Sequence, residues 1–119
     1  MLDNKEIKKK ERRIKKEFQR LNEIYSELPE KKYKIALPLI ENAAFMRVTL
    51  EDMQKAINLE GEVETYQNGA NQYGKKESST VRSYNNMIKN YNTINKRLED
   101  MIPTEVKESK LASFLNDED

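Results

Sequence analysis

The chain contains no cysteine and no histidine. Without thiols it has neither disulfides nor thiolate zinc sites, and without imidazole it lacks the commonest metal ligand and the one side chain that ordinarily titrates near neutrality. Most catalytic constellations are excluded with them. Carboxylate metal sites and acid pairs survive that exclusion, but the acids are scattered among lysines in helical patterns, where a solvated face is the ordinary reading. The expectation is therefore a protein that is not an enzyme, with no cofactor and no metal. Tryptophan is also missing, and glycine and proline number only three each. No apolar run reaches membrane-spanning length and the N-terminus has no apolar signal core, so the expected setting is the cytoplasm, with no membrane partner.

Apolar residues make up 36% of the 119, below the usual share of a globular domain, and charged residues another 36%. A core this thin makes oligomerisation an available route to stability. The apolar residues are nevertheless ordered. Ala36, Leu39, Ala43, Met46, Leu50, Met53 and Ile57 recur at alternating three- and four-residue steps, and so do Val81, Tyr84, Ile88, Tyr91, Asn95, Leu98 and Ile102. Each series puts a narrow apolar seam on one side of a helix. With a Gly/Asn-containing segment between them, the two read as a helical hairpin that packs within the subunit or between subunits. The candidate core and oligomerisation seam comprises Leu39, Met46, Leu50, Met53, Ile57, Tyr84, Ile88, Tyr91 and Leu98. Asn95 stands at a seam position, where a lone Asn either fixes register or oligomer state or faces partial solvent.

The predicted fold is all-α. A basic N-terminal helix spans about Asp3 to Glu27, capped by Asp3 or Asn4 and ended by Leu28-Pro29. A second helix starts near Pro29 or Glu30 and is closed by Gly61; Pro38 predicts either a kink or a later start near Ala36. Val63-Glu-Thr-Tyr-Gln-Asn68-Gly69 flanks Asn-Gly with β-branched and aromatic residues, which predicts a short β-hairpin, its turn of type I′. Gly74-Lys75-Lys76-Glu77 then leads to Ser78 or Ser79, the cap of a third helix ending at Met101-Ile102. The organisation is thus 1–28 as a basic helix, 29–103 as hairpin and oligomerisation core, and 104–119 as an acidic tail. That tail is either a short docking helix carrying Val106, Leu111, Phe114 and Leu115, or a solubilising end.

Charge is placed unevenly. Residues 1–20 hold nine Lys and Arg against four acids, a balance of +5, which leaves −4 for the remainder of a chain whose total is +1. On a helical wheel Ile7, Ile14, Phe18, Leu21 and Tyr25 share one stripe, and Lys5, Lys8, Lys9, Arg12, Arg13, Lys16 and Arg20 lie opposite. Such a face can follow a phosphate backbone and release counterions. It is also what a plain solvated helix looks like, while membrane-surface binding is disfavoured by the sparse apolar stripe. No zinc finger, RNA-recognition signature or helix-turn-helix is visible.

Leu28-Pro29-Glu30, the run Leu39-Ile-Glu-Asn-Ala-Ala-Phe-Met46 with Thr49-Leu-Glu-Asp52, Gly61 with Thr65-Tyr-Gln-Asn-Gly69, and Tyr84-Asn-Asn-Met-Ile-Lys-Asn-Tyr91 together resemble small subunits of phage terminases of the type found in phages of Gram-positive bacteria. Members of that family often have Asn-Pro before the last helix and Leu-Gly-Leu near its end, where this chain has Glu77-Ser78-Ser79 and Met101-Ile102-Pro103. The resemblance implies a non-catalytic protein that binds double-stranded viral DNA, assembles as a homo-oligomeric ring and presents DNA to a large subunit carrying ATPase and nuclease. The basic face from Lys5 to Arg20 would then contact phosphates, and residues 104–119 would be a dock for the large subunit. The rival expectation is a helical scaffold or adaptor that assembles through the same seams and ignores nucleic acid.

Overall fold

The computed structural model describes residues 2–67, 69–70, 72–104 and 112–113. It is mostly helical, with three helices and one small antiparallel sheet in the order α1 (Asn4–Ile24), α2 (Glu30–Glu60), β1 (Val63–Gln67), β2 (Tyr73–Glu77) and α3 (Ser79–Asp100).

Local chemistry sets the boundaries. Asp3 caps α1 through a reciprocal box: its carboxylate accepts from the Glu6 N–H at 2.8 Å, and the Glu6 carboxylate accepts from the Asp3 N–H at 3.3 Å. The helix stops at Ile24, three residues short of the predicted end. Leu28 precedes Pro29 and is biased away from helical angles, so the chain turns upstream of it, with the Leu28 N–H bonded to the Tyr25 carbonyl at 3.3 Å. α2 begins at Glu30 and runs unbroken through Pro38 rather than starting near Ala36. Pro38 is exposed, where water can serve the carbonyl left without an amide donor. Gly61, at a φ of 87°, closes α2 in a conformation that side-chain-bearing residues seldom adopt.

The sheet is longer and differently closed than Asn68-Gly69 predicts. Val63 pairs with Glu77 and Gln67 with Tyr73, so the strands are joined by five residues, 68–72, instead of a two-residue type I′ turn. β2 therefore takes up Gly74 to Glu77, where a lead-in to the last helix was expected. This register sets Tyr66 opposite Gly74, and the ring lies directly on the glycine: a Cβ there would stand 2.5 Å from the Tyr66 Cζ. Lys76 covers the same ring at 5.9 Å from its centroid and reaches Glu64 at 3.4 Å. At the root, the Ser78 N–H bonds to the Glu62 carbonyl at 3.0 Å while the Ser78 Oγ accepts from the Val81 N–H, capping α3.

α2 is the central element, and both other helices run antiparallel to it. Arg13 in the middle of α1 meets Glu51 and Asp52 of α2, whereas Leu21 and Tyr25, farther along, share a cluster with Ala36 and Ile40. The Tyr84 hydroxyl on α3 accepts from Gln54, whereas Leu98 joins Ala36, Ile40, Ala43 and Ala44 in one core cluster. The predicted seam of α2 is the face toward α3. Ile40, Ala44 and Val48, all buried, form a second line roughly 120° around the helix, toward α1. Ala36, Ala43 and Ala44 have no exposed surface, and these small residues let both neighbours approach closely. Of the predicted seam residues, Leu50 and Leu98 are fully buried, and Leu39, Met46, Met53, Ile57, Tyr84, Ile88 and Tyr91 are half-buried, as is Asn95.

Tyr25 is the largest aromatic group in the core, and desolvation, aided by the nearby Glu99 charge, raises its pKa above the ordinary 10.0. The folded state holds the phenol proton more tightly than the unfolded chain does. This contribution is therefore complete below about pH 10 and is lost as pH climbs through the raised value. Tyr25→Phe flattens the alkaline decline in a pH series of thermal melts. Leu50→Ala lowers stability by about 2–5 kcal/mol in urea titration, and Ser78→Ala by only about 1 kcal/mol.

Candidate nucleic-acid interface

The basic side of α1 divides into free and engaged cations. Lys5, Lys8, Lys9, Arg12 and Lys16 are exposed and have no carboxylate partner among the described residues. At about 100° per residue they occupy an arc of roughly 100°, and from Lys5 to Lys16 they extend about 16 Å along the helix. Between Lys5 and Lys16 no acid of α1 falls inside that arc; Glu23, in the last turn, is the first to do so.

Arg13 and Arg20, grouped with them by the wheel, are placed differently. Arg13 points into the α1–α2 junction, donating to Asp52 at 2.7 Å and Glu51 at 3.1 Å. The Asp52 hydrogen bond holds its pKa above the usual guanidinium value against the opposing effect of partial burial. Arg20 is held by both oxygens of Glu17, at 2.6 and 2.9 Å, and the hydrogen bond to Glu17 raises its pKa in the same way. Lys10 lies over the Phe45 ring, 5.2 Å from its centroid. These three side chains tie or shape α1; the outer arc remains open to an anionic partner. The reason is angular: Arg13 and Lys10 stand at the margin of the basic side, within reach of α2, and only the tertiary neighbour reveals that Glu51 and Asp52 wait there.

A second basic surface was not found from the sequence. Residues 65–98 contain Lys75, Lys76, Arg82, Lys89, Lys96 and Arg97 against the single acid Glu77, a balance of +5. On α3, Arg82, Lys89 and Lys96 recur every seven residues along one exposed side, with Asn85 and Asn92 between them. Subtracting the N-terminal segment from the whole concealed this, because residues 21–64 carry five basic residues against nine acidic ones. A windowed charge count would have exposed it. The body is thus a charge-balanced α2, with five acids against five cations, between two basic outer helices.

The two basic helices start from one pole. Leu2, Glu6, Lys9, Lys10 and Arg13 share an open surface hollow with Asp52 and Lys55, so the first turns of α1 lie against the last turns of α2. The β1–β2 ribbon leaves α2 directly beyond Glu60. The buried cluster around Leu21, Tyr25, Ala36 and Leu98 marks the other pole.

Among the described residues no group of three or more His, Cys, Asp and Glu is arranged to hold a metal ion, and no helix is long and apolar enough to cross a membrane. The tail read as a docking element falls on 105–111 and 114–119, outside the described residues. Comparison with protein-family models, with curated proteins and with solved structures found no match.

The Arg13 clasp joins side chains that are each about a third exposed, so its strength is that of a screened pair. A double-mutant cycle with Arg13→Ala and Asp52→Ala gives a coupling of about 0.5–1 kcal/mol that shrinks as salt is added.

Proposed function

We propose that this chain is a non-catalytic DNA-binding subunit of a phage packaging machine, a terminase small subunit acting in the host cytoplasm, which assembles as a homo-oligomeric ring and presents duplex DNA to the large ATPase and nuclease subunit. The observation that carries the reading is the arc of five unpartnered cations on α1, an exposed row at a helical repeat that suits a phosphate backbone. The row Arg82, Lys89 and Lys96 on α3 adds a second anion-attracting surface, secondary to the arc on α1. Arg13 and Arg20 are left out of the contact set, since their guanidinium groups already serve carboxylates of this chain.

Assembly is supported by the state of the seams. In the α2–α3 helical hairpin the side away from α1 keeps Met46, Met53, Val81 and Ile88 only half-covered, and Ile35, about 16 Å farther along α2, is 64% exposed. Continuous apolar stripes of this kind mark interaction surfaces, and the flexible methionines adapt readily to a neighbour. A second copy placed there would complete the burial that one chain leaves unfinished. Rotation by a closed symmetry would then build the ring.

Lys9→Glu, Arg12→Glu and Lys16→Glu combined abolish retention of duplex in a gel shift and leave assembly intact; unchanged retention would remove α1 from the contact. With about five phosphates neutralised per subunit, log affinity falls against log salt with a slope near −4.5, and a flat profile contradicts backbone binding. In native mass spectrometry the wild type gives a closed oligomer, and Met53→Glu with Ile88→Glu gives a helical monomer. A wild-type monomer or dimer that ignores duplex identifies an adaptor instead.

A further inference from the structure

The ribbon formed by β1 and β2 has one face that supports it and one that supports nothing. Residues opposite each other in an antiparallel pair project to the same side. Glu64, Tyr66, Gly74 and Lys76 therefore share a face, and they pack on one another through the ring-on-glycine contact, the cation over the ring and the Glu64–Lys76 pair. The other face carries Thr65, Gln67, Tyr73 and Lys75, all exposed, with Tyr73 68% exposed, and at its root the pair Val63 and Glu77, the Glu77 carboxylate accepting from Asn85. An isolated two-stranded hairpin is marginal in water. This one is stiffened from a single side, which leaves the opposite side presented as a fixed array.

The chemistry of that array is specific. Thr65, Gln67, Tyr73 and Lys75 offer a hydroxyl, an amide, a phenol and an ammonium, each able to donate a hydrogen bond and three able to accept one. Among the described residues the side chains of Thr65, Tyr73 and Lys75 bond to nothing, and Gln67 spends one amide proton on the Ala70 carbonyl at 3.3 Å, leaving its oxygen free. From Thr65 to Lys76 the chain has no acid, in a protein with 21 of them. The partner favoured by such a surface is anionic and rich in donors and acceptors. A two-stranded ribbon is also about the width that the major groove of B-DNA, about 12 Å, admits. The ribbon stands at the same pole as the free cations of α1, and Asn85 of α3 links to its root through Glu77 at 3.5 Å, at the start of the row Arg82, Lys89 and Lys96.

We infer that the β1–β2 ribbon is the sequence-reading element of this protein, entering the major groove of duplex DNA with Thr65, Gln67, Tyr73 and Lys75 toward the base edges, while the helical cations hold the phosphates on either side. The inference rests on the duplex-binding reading above and adds what that reading lacks, since phosphate contacts carry no base information. Gln67 is the residue most apt for a bidentate contact with adenine, and Lys75 for guanine.

Selection from a random pool of duplexes by the full-length protein tests it. The wild type enriches a motif; Gln67→Ala with Lys75→Ala still retains pool duplex at low salt but enriches nothing. Gln67→Ala alone loses about 5- to 150-fold of the preference for the selected motif over random duplex, the range expected for one bidentate base contact. Thermal melts equal to wild type accompany these changes, because the altered side chains are exposed. Enrichment of the same motif with the same preference by the variants, or retention of duplex by the wild type without any enrichment, overturns the ribbon assignment and leaves DNA binding standing. A wild type that retains no duplex overturns both.

Discussion

Everything in this molecule depends on one helix burying two faces at once. α2 presents Ala36, Leu39, Ala43 and Leu50 to α3 and Ile40, Ala44 and Val48 to α1, and it can do so only because three of these positions are alanine and admit backbones on both sides. The outer helices are held by the central one more than by each other. Each therefore needs only a narrow apolar stripe and is free to commit the rest of its circumference to charge. A three-helix arrangement with a broader shared core would have demanded apolar residues where Lys5, Lys9, Arg82 and Lys89 now stand.

That division produces the electrostatic layout. α2 carries as many carboxylates as cations, and Glu51 and Asp52 among them seat Arg13, while the outward sides of α1 and α3 are basic. A near-neutral total conceals this alternation. The Arg13 pairs add little to stability, since they are partly solvated, but they orient α1 so that its unpaired cations face away from α2. The same clasp that fixes α1 selects which of its basic residues remain available to a partner.

Much of the architecture was legible in the sequence because it rests on short-range rules. The caps at Asp3 and Ser78, the stop at Gly61 and the seam through Leu50 and Leu98 follow from capping chemistry and helical periodicity, and the structure has them. What escaped depends on neighbours. The line Ile40, Ala44 and Val48 was hidden because alanine is a weak apolar signal and a helix buried on two sides shows no single clean stripe. The five-residue hairpin loop escaped because register answers to the Tyr66–Gly74 contact across the strands, which the favoured Asn-Gly turn does not encode. The candidate interface was half legible. Lys5, Lys8, Lys9, Arg12 and Lys16 were found by periodicity, whereas the sequestration of Arg13 is a long-range pairing across 38 and 39 residues.

The connectivity has a kinetic consequence. Each helix packs mainly on the one before or after it in the chain, and the two strands are consecutive, so most native pairings join neighbouring elements, the meeting of α1 with the end of α3 around Tyr25 being the exception. Loop-closure entropy is correspondingly small, and topologies of this local kind fold in about microseconds to milliseconds. α1 and α2 can dock while α3 is still emerging from the ribosome, and the last helix closes onto a surface already formed.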